Sequence, residues 1–247
     1  MKRLPKPENA SQTVMRRRVE EVTDVFEREQ GRLRWDGEKD PLDGLVMTLL
    51  SHNTNDRNRD IAYAALMARY TSWEKVHHAD FEELAGVIRP AGLNRQKAER
   101  IQALLAYLRE TFGEYTANFL REMEFDEAME TLGHLKGVSF KTMSVVMCFD
   151  LGRDVFPVDT HVHRICRRIG FVPDKYDAVK TFKAMRPLVP EGKSYQLHLH
   201  LINHGRQICD ARKPKCNRCL IYHLCRYGRY ESGMEGPGSL KETGGQA

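Results

Sequence analysis

Apolar residues recur along this chain at intervals of three and four, while strict alternation is rare. Between residues 95 and 111, Ile101, Leu104, Leu105 and Leu108 fall on one helical face and form a single apolar stripe. The same spacing predicts helices over 14–29, 42–50, 56–70, 80–88, 126–132, 141–149, 160–169, 177–188 and 195–207. Asp40-Pro41, Asp80 and Asp126 each precede an apolar run, where an aspartate can accept hydrogen bonds from the first free N–H groups. Phe156-Pro157-Val158 comes nearest to a strand, but its proline lacks the donor a ladder needs and points to an extended connector. The expected fold is therefore all-α. Residues 231–247 hold five glycines and almost no apolar side chain, so disorder is expected there.

Length and charge narrow the class. At 247 residues the chain can bury a real core, as one large domain or two of about 100 residues each. No apolar run approaches the roughly 20 residues of a membrane span. The net charge is +5, and its distribution matters more than its total. From Cys209 to Arg229 six basic residues (Arg212, Lys213, Lys215, Arg218, Arg226 and Arg229) stand against Asp210 alone, a local +5. Such a surface attracts the phosphates of nucleic acid through counterion release.

The same basic segment carries Cys209, Cys216, Cys219 and Cys225 in a Cys-x6-Cys-x2-Cys-x5-Cys array. Thiolates this close in sequence can converge on one centre, and each gap can turn the chain but cannot hold a domain. Two disulfides are the competing reading. The opening Met1-Lys2-Arg3-Leu4-Pro5-Lys6 has no apolar secretion signal, which makes a reducing cytoplasm the default compartment. In that setting such arrays bind a metal or cluster. Cys148 and Cys166 lie outside the array and read as small buried hydrophobes.

Upstream, Leu132-Gly133-His134-Leu135-Lys136-Gly137-Val138-Ser139-Phe140-Lys141-Thr142 reads as helix, tight turn, helix. Gly137 can take positive φ, and the free N–H groups of the following helix start make such a turn a phosphate cradle. Lys141 would stand in the first turn, against the like-signed end of the helix dipole, which depresses an ammonium's pKa and favours the nucleophilic amine. Eighteen residues on, Asp159 stands where a helix begins. It either caps that helix or projects a carboxylate that pairs with the lysine.

The order Leu135-x-Gly137-Val138-x-x-Lys141-Thr142, Val158-Asp159-Thr160-His161, His204-Gly205-Arg206 and then the cysteine array resembles the endonuclease III family of helix-hairpin-helix DNA glycosylases. The likeness spans about residues 42–226. It implies two helical lobes flanking a DNA-binding cleft. Residues 1–38 and 155–230 would form a discontinuous lobe with the cysteine loop, and residues 39–154 a six-helix barrel ending in the hairpin. It implies a base-excision enzyme that removes oxidised pyrimidines from duplex DNA and cleaves the abasic site. Lys141 is then the Schiff-base nucleophile and Asp159 its assisting carboxylate, while the four cysteines hold a [4Fe-4S] cluster. Lys136, Gly137 and Ser139 would contact phosphate at the hairpin; Arg212, Lys213, Lys215 and Arg218 would grip the backbone between the cysteines. Leu93 and Asn53 match the family's wedge and gap-filling positions, which serve a base flipped out of the stack.

Two departures from the commonest family pattern stand out. Ser139 and Phe140 replace a glycine and its basic or small successor, and serine tolerates positive φ poorly, although its hydroxyl can donate to phosphate. Asn53 replaces the more usual glutamine, with a shorter reach. Both bear on which base is removed, and a thymine or uracil mismatch glycosylase of the same fold is the alternative reading. Adenine-mismatch relatives lack the hairpin lysine that this chain has. A catalytically silent DNA-binding module is the third reading. His198, His200 and His204 share one helix without an intervening carboxylate and are expected to pack and hydrogen-bond; Trp35 and Trp73 are expected in the core. Nothing such as a heptad run calls for a partner subunit, so a cytoplasmic monomer is expected, nucleoid-associated if prokaryotic.

Overall fold

The structure, a computed structural model, describes residues 4–237. Among them are twelve α-helices and no strand. Those that the spacing predicts are α1 (Gln12–Gln30), α2 (Pro41–Ser51), α3 (Asp56–Arg69), α5 (Phe81–Val87), α6 (Asn94–Phe112), α7 (Phe125–Leu132), α8 (Phe140–Val145), α9 (Thr160–Ile169), α10 (Ala178–Met185) and α11 (Ser194–Gln207). Two five-residue helices, α4 (Trp73–His77) and α12 (Arg226–Tyr230), escaped the reading because so few residues cannot display a period. The segment expected as one helix over 141–149 is α8 followed by a π turn, Val146–Asp150. None of the helices among the described residues is long and apolar enough to cross a membrane.

Asp40 caps α2 by accepting from Leu42 N at 2.8 Å, and Asp80 caps α5 by accepting from Glu83 N at 2.9 Å. Asp126 does not cap α7. That helix starts one residue earlier behind Glu124, whose N–H donates to the Glu127 carboxylate at 3.1 Å, and Asp126 sits in its first turn.

The chain divides into two compact units. The continuous one, Asp36–Arg153, is organised around α2, which packs on α3, α6, α8 and the π turn. Leu42, Leu45, Val46, Leu49 and Leu50 of α2 and the Ile101, Leu104, Leu105, Leu108 stripe of α6 are all buried. Each such side chain contributes about 1.5–3 kcal/mol by leaving water. The other unit takes the chain up to Trp35 and again from Asp154. There α1 lays Val19, Val22 and Phe26 against α11, while α9 packs on α10, α11 and α12. The buried guanidinium of Arg18 donates to Ile169 O, Gly170 O and Leu224 O at 2.9–3.3 Å. The first two carbonyls end α9, where helical acceptors lack partners and the dipole favours a cation.

Two expectations need correction. Trp35 is 36% exposed, and Trp73 is half-buried with its side chain bonded to Asp43. Residues 231–237 are ordered against the fold: Tyr222 Oη donates to Met234 O at 2.9 Å, and Gly236 lies so close to the Tyr222 ring that a Cβ would fall 2.4 Å from it. One aromatic ring thus holds a segment whose composition suggested disorder. Residues 238–247 of the expected tail lie outside the described residues.

Candidate active site

The hairpin between α7 and α8 is built from local hydrogen bonds. Leu135 N donates to Leu132 O and Val138 N to Leu135 O, both at 3.0 Å. Gly137 has φ of +98°, and a Cβ there would lie 2.6 Å from Leu49 and 3.1 Å from Arg100, so conformation and space both require glycine. Ser139, by contrast, is extended at φ −108° and caps α8, its Oγ accepting from Thr142 N at 3.3 Å. The departure at this position therefore introduces no left-handed strain. Thr142 Oγ1 donates to Gly137 O at 2.7 Å and locks the turn onto the helix. Lys136 projects from the turn, exposed, 3.5 Å from Glu99.

Lys141 is the second residue of α8 and is exposed. Among the described residues its ammonium makes no hydrogen bond or ion pair. One neighbour went unassigned in the sequence: His52, just before Asn53, places Nε2 3.4 Å from Thr142 Oγ1. Burial, then the charges of Lys141, Arg100 and Lys97, lower its pKa to about 4, so the imidazole beside the hairpin is neutral.

Asn53 and Leu93 lie in the same unit as the hairpin. Asn53 (φ +54°) turns the chain between α2 and α3, and Leu93 (φ +46°) is the N-cap of α6. Leu93 is 54% exposed. Asn53, Thr54, Asn55, Asn58, Pro90, Ala91 and Gly92 line one open depression.

Asp159 belongs to the other unit. Buried Phe156, Pro157 and Val158 lead into it, and its Oδ1 caps α9 by accepting from Val162 N at 2.7 Å. Capping thus occupies one oxygen. The side chain is half-buried, and its second oxygen accepts no protein hydrogen bond among the described residues.

The four array cysteines line a single pocket together with Ile165, Ile169, Ile208 and Ile221. All are free thiols, which removes the disulfide reading. Each sulfur has a hydrogen-bond partner: Arg168 donates to Cys209 at 3.2 Å and Gly228 N to Cys225 at 3.4 Å, His204 Nε2 lies 3.6 Å from Cys219, and Ser232 meets Cys216. Burial pushes the Cys219 thiol up to about 12 and that of Cys225 to about 11, so as free groups they are protonated. Among the described residues no three His, Cys, Asp or Glu side chains are gathered tightly enough to hold a metal ion. Four soft sulfur ligands facing one apolar pocket, each with a hydrogen-bond partner, suit a thiolate-ligated group in composition and enclosure. Arg212, Lys213, Lys215 and Arg218 are all exposed between these cysteines, with Lys215 also donating to Gln207 O at 2.8 Å.

The histidines of α11 pack as expected. His198 Nδ1 is 2.8 Å from Pro157 O, His200 Nε2 is 3.1 Å from Gly31 O, and both His200 and His204 contact the Phe26 ring. Burial lowers the pKa of His204 to about 4. Cys148 and Cys166 are buried apolar thiols.

Residues 46–191 match the family described as HhH-GPD superfamily base excision DNA repair protein. Endonuclease III of Thermotoga maritima is 32% identical over 78% of this chain and 85% of the relative. An Arabidopsis thaliana protein named as a DNA glycosylase is 36% identical over 71% of this chain, which spans 60% of that relative's length. A non-covalent endonuclease III–DNA complex superposes with a TM-score of 0.71 at 28% identity, covering 89% of this chain and 97% of that one. A thermostable thymine-DNA glycosylase gives the same TM-score at 26% identity, covering 88% and 99%. The chain belongs to the HhH-GPD superfamily of base excision DNA repair proteins, as an endonuclease III-like DNA glycosylase.

Proposed function

We propose that the protein is a bifunctional glycosylase that removes oxidised pyrimidines from duplex DNA and then cleaves the abasic site. The observation that carries this reading is Lys141: exposed, and unpaired among the described residues, in the first turn of the helix that follows the Gly137 turn. Its amine attacks C1′ of the damaged nucleoside, the N-glycosidic bond breaks and the base departs with the bonding electrons. Loss of the amine proton and cleavage of the C1′–O4′ bond, with O4′ protonated, then give a Schiff base that acidifies the C2′ proton, and β-elimination expels the 3′ phosphate. Asp159, with one carboxylate oxygen unused by its cap, stabilises the cationic character that develops at the sugar.

Binding follows from the same residues. Lys136, Gly137 and Ser139 take a phosphate at the hairpin, and Arg212, Lys213, Lys215 and Arg218 take others. Leu93 enters the stack as the target base leaves, and Asn53 occupies the space. Cys209, Cys216, Cys219 and Cys225 would hold a [4Fe-4S] cluster, whose bonds to four points of the chain fix the basic loop between them. The protein acts as a monomer on duplex DNA.

One observation favours a second substrate: the thymine-DNA glycosylase superposes as well as the endonuclease III complex does. Cleavage and borohydride trapping of wild type and Lys141→Ala decide the matter, on duplexes bearing thymine glycol, a thymine–guanine mismatch or an abasic site. Trapping on thymine glycol that vanishes in the variant is expected. Activity on the mismatch alone moves the substrate, and an absence of trapping on all three sinks the lysine mechanism.

A further inference from the structure

Lys97 lies on α6 one turn beyond Leu93 and is 1% exposed. A lysine so buried needs partners for its ammonium. Nζ donates to Leu50 O and to Ala91 O, both at 2.7 Å. Its own backbone N–H donates to Leu93 O at 3.0 Å. Leu50 stands near the end of α2, three residues before Asn53, and Ala91 ends the turn Arg89–Ala91, two residues before Leu93. One residue therefore fastens three carbonyls on both segments that border the depression beside Asn53.

A methionine or leucine could fill the same volume but would leave two inward-facing carbonyls unpaired. The ammonium is thus used for geometry. Asn53 and Leu93 are the two non-glycine residues with positive φ among the described residues, and strained backbone of this kind persists only where its surroundings over-determine it. Lys97 supplies that constraint on both sides at once.

We infer that Lys97 is a positioning residue for base extrusion, setting the spacing of Asn53 and Leu93 before they enter the DNA stack. The inference rests on the function proposed above, in which those two residues replace the extruded base. Lys97 touches neither DNA nor the reacting atoms and acts through them.

The test measures extrusion apart from chemistry. A duplex carries the lesion on which wild type traps, with 2-aminopurine as its neighbour, and stopped-flow fluorescence follows unstacking by wild type, Leu93→Ala and Lys97→Met. Trapping on a preformed abasic site, which has no base to extrude, is measured in parallel with thermal melting. The expected result is a tenfold or greater loss of the unstacking rate in both variants, with abasic-site trapping by Lys97→Met within threefold of wild type. Unstacking by Lys97→Met at the wild-type rate overturns the inference, and so does an equal loss of unstacking and abasic-site trapping, which marks general damage to the fold. If wild type itself produces no unstacking, the proposed function fails first. Should Lys97→Met not fold, Lys97→Gln, whose amide can donate to one of the two carbonyls, is put through the same comparison.

Discussion

Asn53 and Leu93 both hold left-handed backbone, at φ +54° and +46°, where side chains with a Cβ are disfavoured. Strain of this order costs about 1–3 kcal/mol per residue. Leu93→Gly should therefore raise thermal stability by about 1 kcal/mol while lowering excision at least tenfold, because the backbone relaxes and the wedge is lost. Melting curves beside single-turnover excision read both effects; a stable variant with full activity would remove Leu93 from the mechanism.

The cap that Asp159 provides can be separated from the catalytic role proposed for it. Asn caps a helix about as well as Asp, whereas Ala forfeits about 1 kcal/mol. Asp159→Asn is expected to melt like wild type and lose most lyase activity, while Asp159→Ala loses both. Equal activity in Asp159→Asn and wild type would leave the residue as a cap alone.

At Ser139, the extended backbone makes glycine unnecessary. Ser139→Gly should change stability by a few tenths of a kcal/mol, and Ser139→Ala should cost about 1 kcal/mol through the lost bond to Thr142 N. If the hydroxyl also donates to phosphate, both variants weaken DNA binding to a similar extent in a titration. Tighter binding by Ser139→Gly would show that the serine compromises the hairpin.

His52 makes stability depend on pH. Its folded pKa of about 4 lies below the ordinary 6.5, so the folded state binds a proton less readily than the unfolded chain. The stability it contributes is fully present above pH 6.5 and is lost as pH falls toward 4, by an amount on the order of 2 kcal/mol. His52→Gln keeps an N–H donor for Thr142 and does not titrate. Denaturation at pH 7 and 4.5 should show a smaller loss in the variant, and identical losses would contradict the assignment.

The exposed basic residues between the cysteines predict a salt dependence. Replacing Arg212, Lys213 or Arg218 by Gln should reduce the slope of log K against log salt by about 0.9 for each phosphate contact removed. A slope unchanged in all three would place the DNA elsewhere.

Much of this was legible in the sequence because it is written in local terms. Period and caps gave ten helices, Gly137 announced its turn, and the cysteine spacing announced a shared pocket. What escaped depends on distant partners. Asp126 gave way to Glu124 because Glu127 completes a capping box, and residues 231–237 are held by Tyr222. The spacing of residues along the chain assigns no role to His52 or Lys97. Their roles arise from Thr142, Leu50 and Ala91, which only tertiary structure brings to them.

The route of the chain also dictates an order of assembly. The unit formed by Asp36–Arg153 is contiguous and can fold as soon as it leaves the ribosome. The helix made before it cannot: Arg18 finds its acceptor on Gly170 only 152 residues later, and Phe26 waits for His200 and His204. Throughout that interval α1 carries an uncovered apolar face. Its cover is made only with α9 and α11, so a chain stopped short of Gly170 would hold a finished hairpin and an α1 with nothing to close over it.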